Sequence, residues 1–89
     1  MANIKIPTPL RNLTDNLTSV EIDGNKVFEI IDNLENKFPG VKSKIMTDGK
    51  LKHFVNIYIN GEDIRYLDSL STDVNKNDEI SIVPAVAGG

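Results

Sequence analysis

The chain contains no cysteine, no tryptophan and a single histidine. It also has no apolar run near the ~20 residues of a membrane span. Without cysteine there is no disulfide framework, no thiolate metal site and no cysteine nucleophile. His53 stands beside Phe54, and the serines at 19, 43, 69, 71 and 81 give no nucleophile–base spacing with it. Gly24, Gly40, Gly49 and Gly61 are isolated turn residues, so no glycine-rich phosphate loop is present. The acid pairs Glu62/Asp63 and Asp78/Glu79 fall in turns, where carboxylates bond nearby backbone amides. No internal active site and no metal set emerges.

Basic charge is also scarce. Ten Lys and Arg are outnumbered by thirteen acids, for a net charge of −3. A nucleic-acid binder needs a basic face to displace counterions, so this class is disfavoured. A mildly acidic surface suits a protein partner with a basic docking site, and solubility alone explains it equally well. The N-terminus lacks the basic, apolar and small-residue regions of a signal peptide, so a cytoplasmic location without membrane contact is expected. At 89 residues, 39% hydrophobic and 26% charged, the chain reads as one small domain. Such a domain buries about 60–65% of its unfolded surface, enough for one sheet against one helix.

What is present is patterned. Residues 3–6 alternate as a first strand ended by Pro7, and Pro7-Thr8-Pro9 predicts an extended, non-helical connection. Leu10, Leu13 and Leu17 follow in a polar loop, and residues 18–22 alternate as a second strand before the Asp23-Gly24 turn. Val27, Ile30, Ile31, Leu34 and Phe38 form an apolar stripe at helical period, with Asn25 as the expected N-cap and Pro39-Gly40 as the stop. Val41 to Met46 adds a short helical turn, and Asp48-Gly49 another chain reversal. Residues 54–60 are the strongest strand, with Val55, Ile57 and Ile59 on one face and Phe54, Asn56, Tyr58 and Asn60 on the other. Asn60-Gly61 predicts a tight turn returning as a short strand at Ile64-Arg65-Tyr66. Leu67 to Leu70 reads as a compact turn, and residues 79–84 as the last strand with Ile80 and Ile82 inward.

This order predicts an α+β fold, a mixed sheet with one main helix across one face and the two terminal strands parallel at its centre. That is the β-grasp, or ubiquitin-like, arrangement. Residues 1–84 form the expected domain and residues 85–89 a flexible functional tail. Glycine lacks Cβ, so Gly88-Gly89 can carry the terminal carboxylate into a channel too narrow for side chains. At glycine's average abundance of roughly 7%, about one chain in two hundred ends this way by chance. The dipeptide therefore gains meaning from the fold before it. Phe54, Tyr58 and Val83 are expected to meet on the sheet face away from the helix as a docking patch, and Arg11 is a further candidate partner contact.

Three segments carry a family resemblance: Ile6-Pro7-Thr8-Pro9-Leu10-Arg11, the run from Gly49 to Asn60, and the run from Ile80 to Gly89. In these, and across essentially its whole length, the chain resembles the ubiquitin-like sulfur carriers of the MoaD/ThiS family. Within it, the chain looks most like the carriers of an alternative cysteine-biosynthesis route. Molybdopterin synthase small subunits have an aromatic-rich first strand with Phe-Ala and Arg-Glu signatures, which Ile6 to Asn12 lack here; this favours the amino-acid branch.

The resemblance implies a carrier, not an enzyme, with no bound cofactor. An E1-like adenylating enzyme would use ATP and Mg to convert the Gly89 carboxylate to an acyl-adenylate, and a sulfur donor would replace AMP to leave a thiocarboxylate. A cysteine-synthase-like PLP enzyme would use that sulfur, and a metal-dependent peptidase would release the amino acid. The functional tail is then Ala87, Gly88 and Gly89. Alternatives are a molybdopterin synthase subunit and a protein modifier that forms isopeptide bonds.

Overall fold

In the computed structural model, which describes residues 1–84, the alternating segments assemble into one mixed sheet. Its strands are β1 (Ala2–Lys5), β2 (Ser19–Ile22), β5 (Val55–Ile59), β6 (Glu62–Asp63) and β7 (Glu79–Pro84), in the order β2-β1-β7-β5-β6. Two helices, α1 (Val27–Lys37) and α2 (Val41–Ile45), precede a separate hairpin of β3 (Met46–Thr47) and β4 (Lys50–Leu51). β1 and β7 pair in parallel and every other neighbour is antiparallel. This is the β-grasp, with the terminal strands side by side at the centre.

The register follows from burying one face. Ile4 pairs with Ile80, Ile59 with Ile80 and Ile57 with Ile82, so branched side chains at period two form a continuous inner layer. Val27, Ile30, Ile31 and Leu34 of α1 are buried in the same core, with Val41 and Ile45 of α2 extending it. α1 is strapped down at its start: the Val27 amide donates to the Thr72 carbonyl and the Val74 amide to the Asn25 carbonyl. Phe38 ends it buried, and Gly40 then takes a left-handed conformation at φ 103°.

Local chemistry overturns three expectations. Pro7-Thr8-Pro9 is not a non-helical connection; a 3₁₀ helix runs Thr8–Leu13 with Pro9 in its first turn, where a missing amide costs nothing and a fixed φ suits the helix. Asn25 does not cap α1 with its side chain. Lys26 holds the N-cap position, and Glu29 reaches back to accept the Asn25 amide at 2.7 Å. The return strand is Glu62–Asp63, not Ile64–Tyr66. Asn60 and Gly61 both have positive φ, so the turn is complete at once and Glu62 faces Ile59. The Asp63 carboxylate then accepts the Arg65 amide and starts a 3₁₀ turn that buries Ile64. The same positive-φ pair at Asp48 and Gly49 closes the β3–β4 hairpin, which the sequence reading had as a turn alone.

Candidate functional site

The candidate site is the end of β7 and the surface around it. β7 sits between β1 and β5, but the two ladders end at different levels. β1 matches Glu79 to Ser81 only, whereas β5 matches Ile80 to Pro84. Among the described residues, the segment from Ile82 to Pro84 therefore has one strand neighbour. Pro84 faces Val55, so β7 ends beside the start of β5. Proline has no amide to offer a ladder, which suits a strand terminus. The expected tail residues Ala87, Gly88 and Gly89 lie outside the described residues.

Of the expected docking residues, Tyr58 and Val83 share the outer face: Val83 stands opposite Asn56, and Tyr58 opposite Ser81. Val83 is 42% exposed and Tyr58 half-buried. Phe54 is not in the strand. It sits in the turn before β5, half-buried, packed against the margin of the core, with its ring edge-on to His53 at 5.6 Å. The patch is thus a two-residue face with Phe54 at its border. Between them lies Asn56, whose buried Oδ1 accepts no hydrogen bond from the described residues. Arg11 is engaged within the chain: its Nε donates to the Ile6 carbonyl at 3.1 Å, one residue beyond the end of β1. It fastens the 3₁₀ segment beside the level where β7 loses its first neighbour.

Sequence reasoning missed Asn56 and the lysines around Phe54. Lys50 and Lys52 drew no separate reading from the sequence because their convergence depends on the β3–β4 hairpin. Among the described residues, no cluster of three or more His, Asp or Glu side chains could hold a metal ion, and no helix is long and apolar enough to cross a membrane.

The described residues thus define a β-grasp domain whose central strand β7 ends at Pro84, beside the start of β5. The sequence model of the ThiS family matches residues 4–89. The sulfur carrier protein CysO of Mycobacterium tuberculosis is 40% identical over 89 residues, covering 97% of this chain and 96% of that protein. A chain in the crystal structure of the Amycolatopsis orientalis BexX/CysO complex superposes with a TM-score of 0.95 at 42% identity, covering 100% of both. Small archaeal modifier protein 1 from Methanosarcina acetivorans has a TM-score of 0.86 at 33% identity, covering 99% of this chain and 95% of that one. The chain belongs to the ThiS family of ubiquitin-like sulfur carriers, which are small protein carriers and not enzymes.

Proposed function

We propose that the chain is a sulfur carrier serving synthesis of cysteine or a related thiol amino acid, with Gly89 as the carrying residue. The observation that supports this most is likeness to CysO over essentially the whole chain, in a family match that runs to Gly89. The chemistry suits a domain whose described residues bring together no catalytic constellation. The Gly89 carboxylate attacks the α-phosphorus of ATP in an E1-like enzyme, with Mg offsetting phosphate charge, and pyrophosphate leaves. A sulfide-equivalent donor then attacks the acyl carbon and expels AMP, giving the thiocarboxylate. Its sulfur would attack an electrophilic form of an activated serine supplied by a cysteine-synthase-like PLP enzyme. The resulting thioester passes its acyl group to the new amine, and a metal-dependent peptidase hydrolyses that amide. Val83, Tyr58 and Phe54 would orient the domain on these enzymes, with Arg11 at the border.

The test is intact mass after co-expression with the cognate E1-like activating enzyme. Replacement of one oxygen by sulfur is expected, localised to Gly89 by fragmentation and absent from the chain lacking Gly89. Acyl-adenylate formation followed by AMP release without any sulfur-containing product would sink the reading. Likeness to a small archaeal modifier favours one alternative, attack of a target lysine on the same adenylate. High-mass conjugates that need Gly89 and persist without a sulfur donor would establish it.

A further inference from the structure

The overall acidity conceals a basic shoulder. Between Val41 and Phe54 the chain carries Lys42, Lys44, Lys50 and Lys52 against one acid, Asp48; the remainder holds twelve acids and six Lys or Arg. Lys42 is paired with Asp32, and Lys50 and Lys52 line two adjoining open hollows. The larger, about 620 Å³, is lined by Lys50, Lys52, His53, Leu51 and Phe54 together with Thr47 and Asp48. The smaller, about 250 Å³, shares Lys50 and Leu51 and adds Arg65, Leu70, Ile64 and Ser69. Cations therefore surround an apolar floor. Lys52 Nζ stands 6.0 Å from the centre of the Phe54 ring, and Arg65 is fixed by donating from Nη2 to the Val55 carbonyl at 3.0 Å.

That carbonyl belongs to the residue facing Pro84. The shoulder thus borders the point where β7 leaves the sheet. Five residues follow Pro84, and five residues span at most about 18 Å. Any enzyme that holds Gly89 must bring its own surface within that distance of Pro84, which the shoulder borders through Val55 and Arg65. A nucleic acid fits less well: its phosphates seek a continuous basic stripe, whereas this floor is apolar and Asp63 and Asp68 flank it in sequence.

We propose, building on the carrier reading above, that this shoulder docks a carboxylate-rich surface of the adenylating enzyme. An apolar side chain of that enzyme seats between Leu51 and Phe54, and Lys50, Lys52 and Arg65 face its acids. The expectation of a basic partner site, drawn from net charge alone, is reversed at this surface. Charges at an interface rim act chiefly on encounter and on salt dependence.

The test follows pyrophosphate release by the adenylating enzyme that yields the thiocarboxylate in co-expression, as a function of carrier concentration. Lys50→Glu/Lys52→Glu should raise KM about tenfold at low salt with kcat within about twofold, and should flatten the rise of KM with salt seen for the native chain. Lys50→Gln/Lys52→Gln, which removes charge without reversing it, should fall between them, and Lys76→Glu, in the exposed turn before the opposite end of β7, should match the native chain. Unchanged KM in both double variants, with circular dichroism confirming their fold, overturns the proposal. So does a fall in kcat alone, or a KM equally sensitive to Lys76→Glu. A native chain that is never adenylated overturns the carrier reading instead and removes the docking proposal with it.

Discussion

At its start β7 is gripped on both sides: Asn3 to Lys5 run parallel to Glu79 to Ser81, and Tyr58 and Ile59 face Ser81 and Ile80 across the other edge. Three residues later Val55 and Asn56 are its ladder neighbours among the described residues, and Val83 is turned outward. One strand therefore holds the domain together at one end and presents it at the other. The difference lies in which partners reach each level, since both ends share the same branched, alternating composition. Residues that look alike in sequence should behave unlike each other when changed.

The largest effect should come from the gripped end. Ile80 is 2% exposed and has an isoleucine neighbour in each flanking strand. Ile80→Ala should lower unfolding free energy by about 2–5 kcal/mol in urea titration, through lost burial and an unfilled cavity. Val83→Thr keeps the strand-favouring branch and should leave stability within about 0.5 kcal/mol. Its effect should appear in activation by the adenylating enzyme, with kcat/KM down about fourfold for one methyl group lost from an apolar contact. Comparable destabilisation by both changes would break the contrast.

Two glycines sharpen the same point away from β7. A Cβ on Gly24 would lie 2.9 Å from Ile30 Cδ1 and 3.1 Å from the Ile30 backbone nitrogen, while one on Gly49 would meet nothing within 4 Å. Gly24→Ala must push α1 off its seat and should cost about 2–3 kcal/mol. Gly49→Ala pays only for its positive φ of 77°, about 1–2 kcal/mol. Thermal melts should rank them in that order, and thiocarboxylate formation at 25 °C should be preserved in both. Equal losses would mean that the approach of Gly24 to α1 is looser than it stands here.

Much of this was legible in the sequence because burial writes itself as periodicity. The stripe from Val27 to Phe38 and the alternation from Val55 to Ile59 each named their own inner face, and the last strand was visible without a structure. The β6 placement failed because apolar content was followed instead of turn chemistry: Asn60-Gly61 finishes its reversal at Glu62, so two acids occupy the strand while Ile64 drops into the core. Phe54 was placed on the outer face by simple alternation, but the strand starts one residue later and its ring turns to the core margin. The basic shoulder was not legible, since Lys50, Lys52 and Arg65 converge only after a hairpin and a 3₁₀ turn fold together.

The join between the shoulder and the body provides the smallest and most specific effect. Glu35, on the last turns of α1, accepts the amides of Gly40 at 3.0 Å and Lys42 at 2.8 Å, closing the first turn of α2. These two hydrogen bonds, with a further contribution from the Lys42 charge, hold its carboxyl below the ordinary value of 4.5 against a partial opposing effect of burial. The folded state thus favours the ionised form. Its stabilisation is complete above the unfolded value and is lost as pH falls from there through the lower folded value. Glu35→Gln retains an acceptor that does not titrate. It should be slightly less stable than the native chain at about pH 7, with the gap narrowing as pH drops toward about 3, read as converging urea midpoints. Parallel midpoints across that range would show that the carboxylate does not link α1 to α2. The basic shoulder would then have to be positioned by the buried Val41 and Ile45 alone.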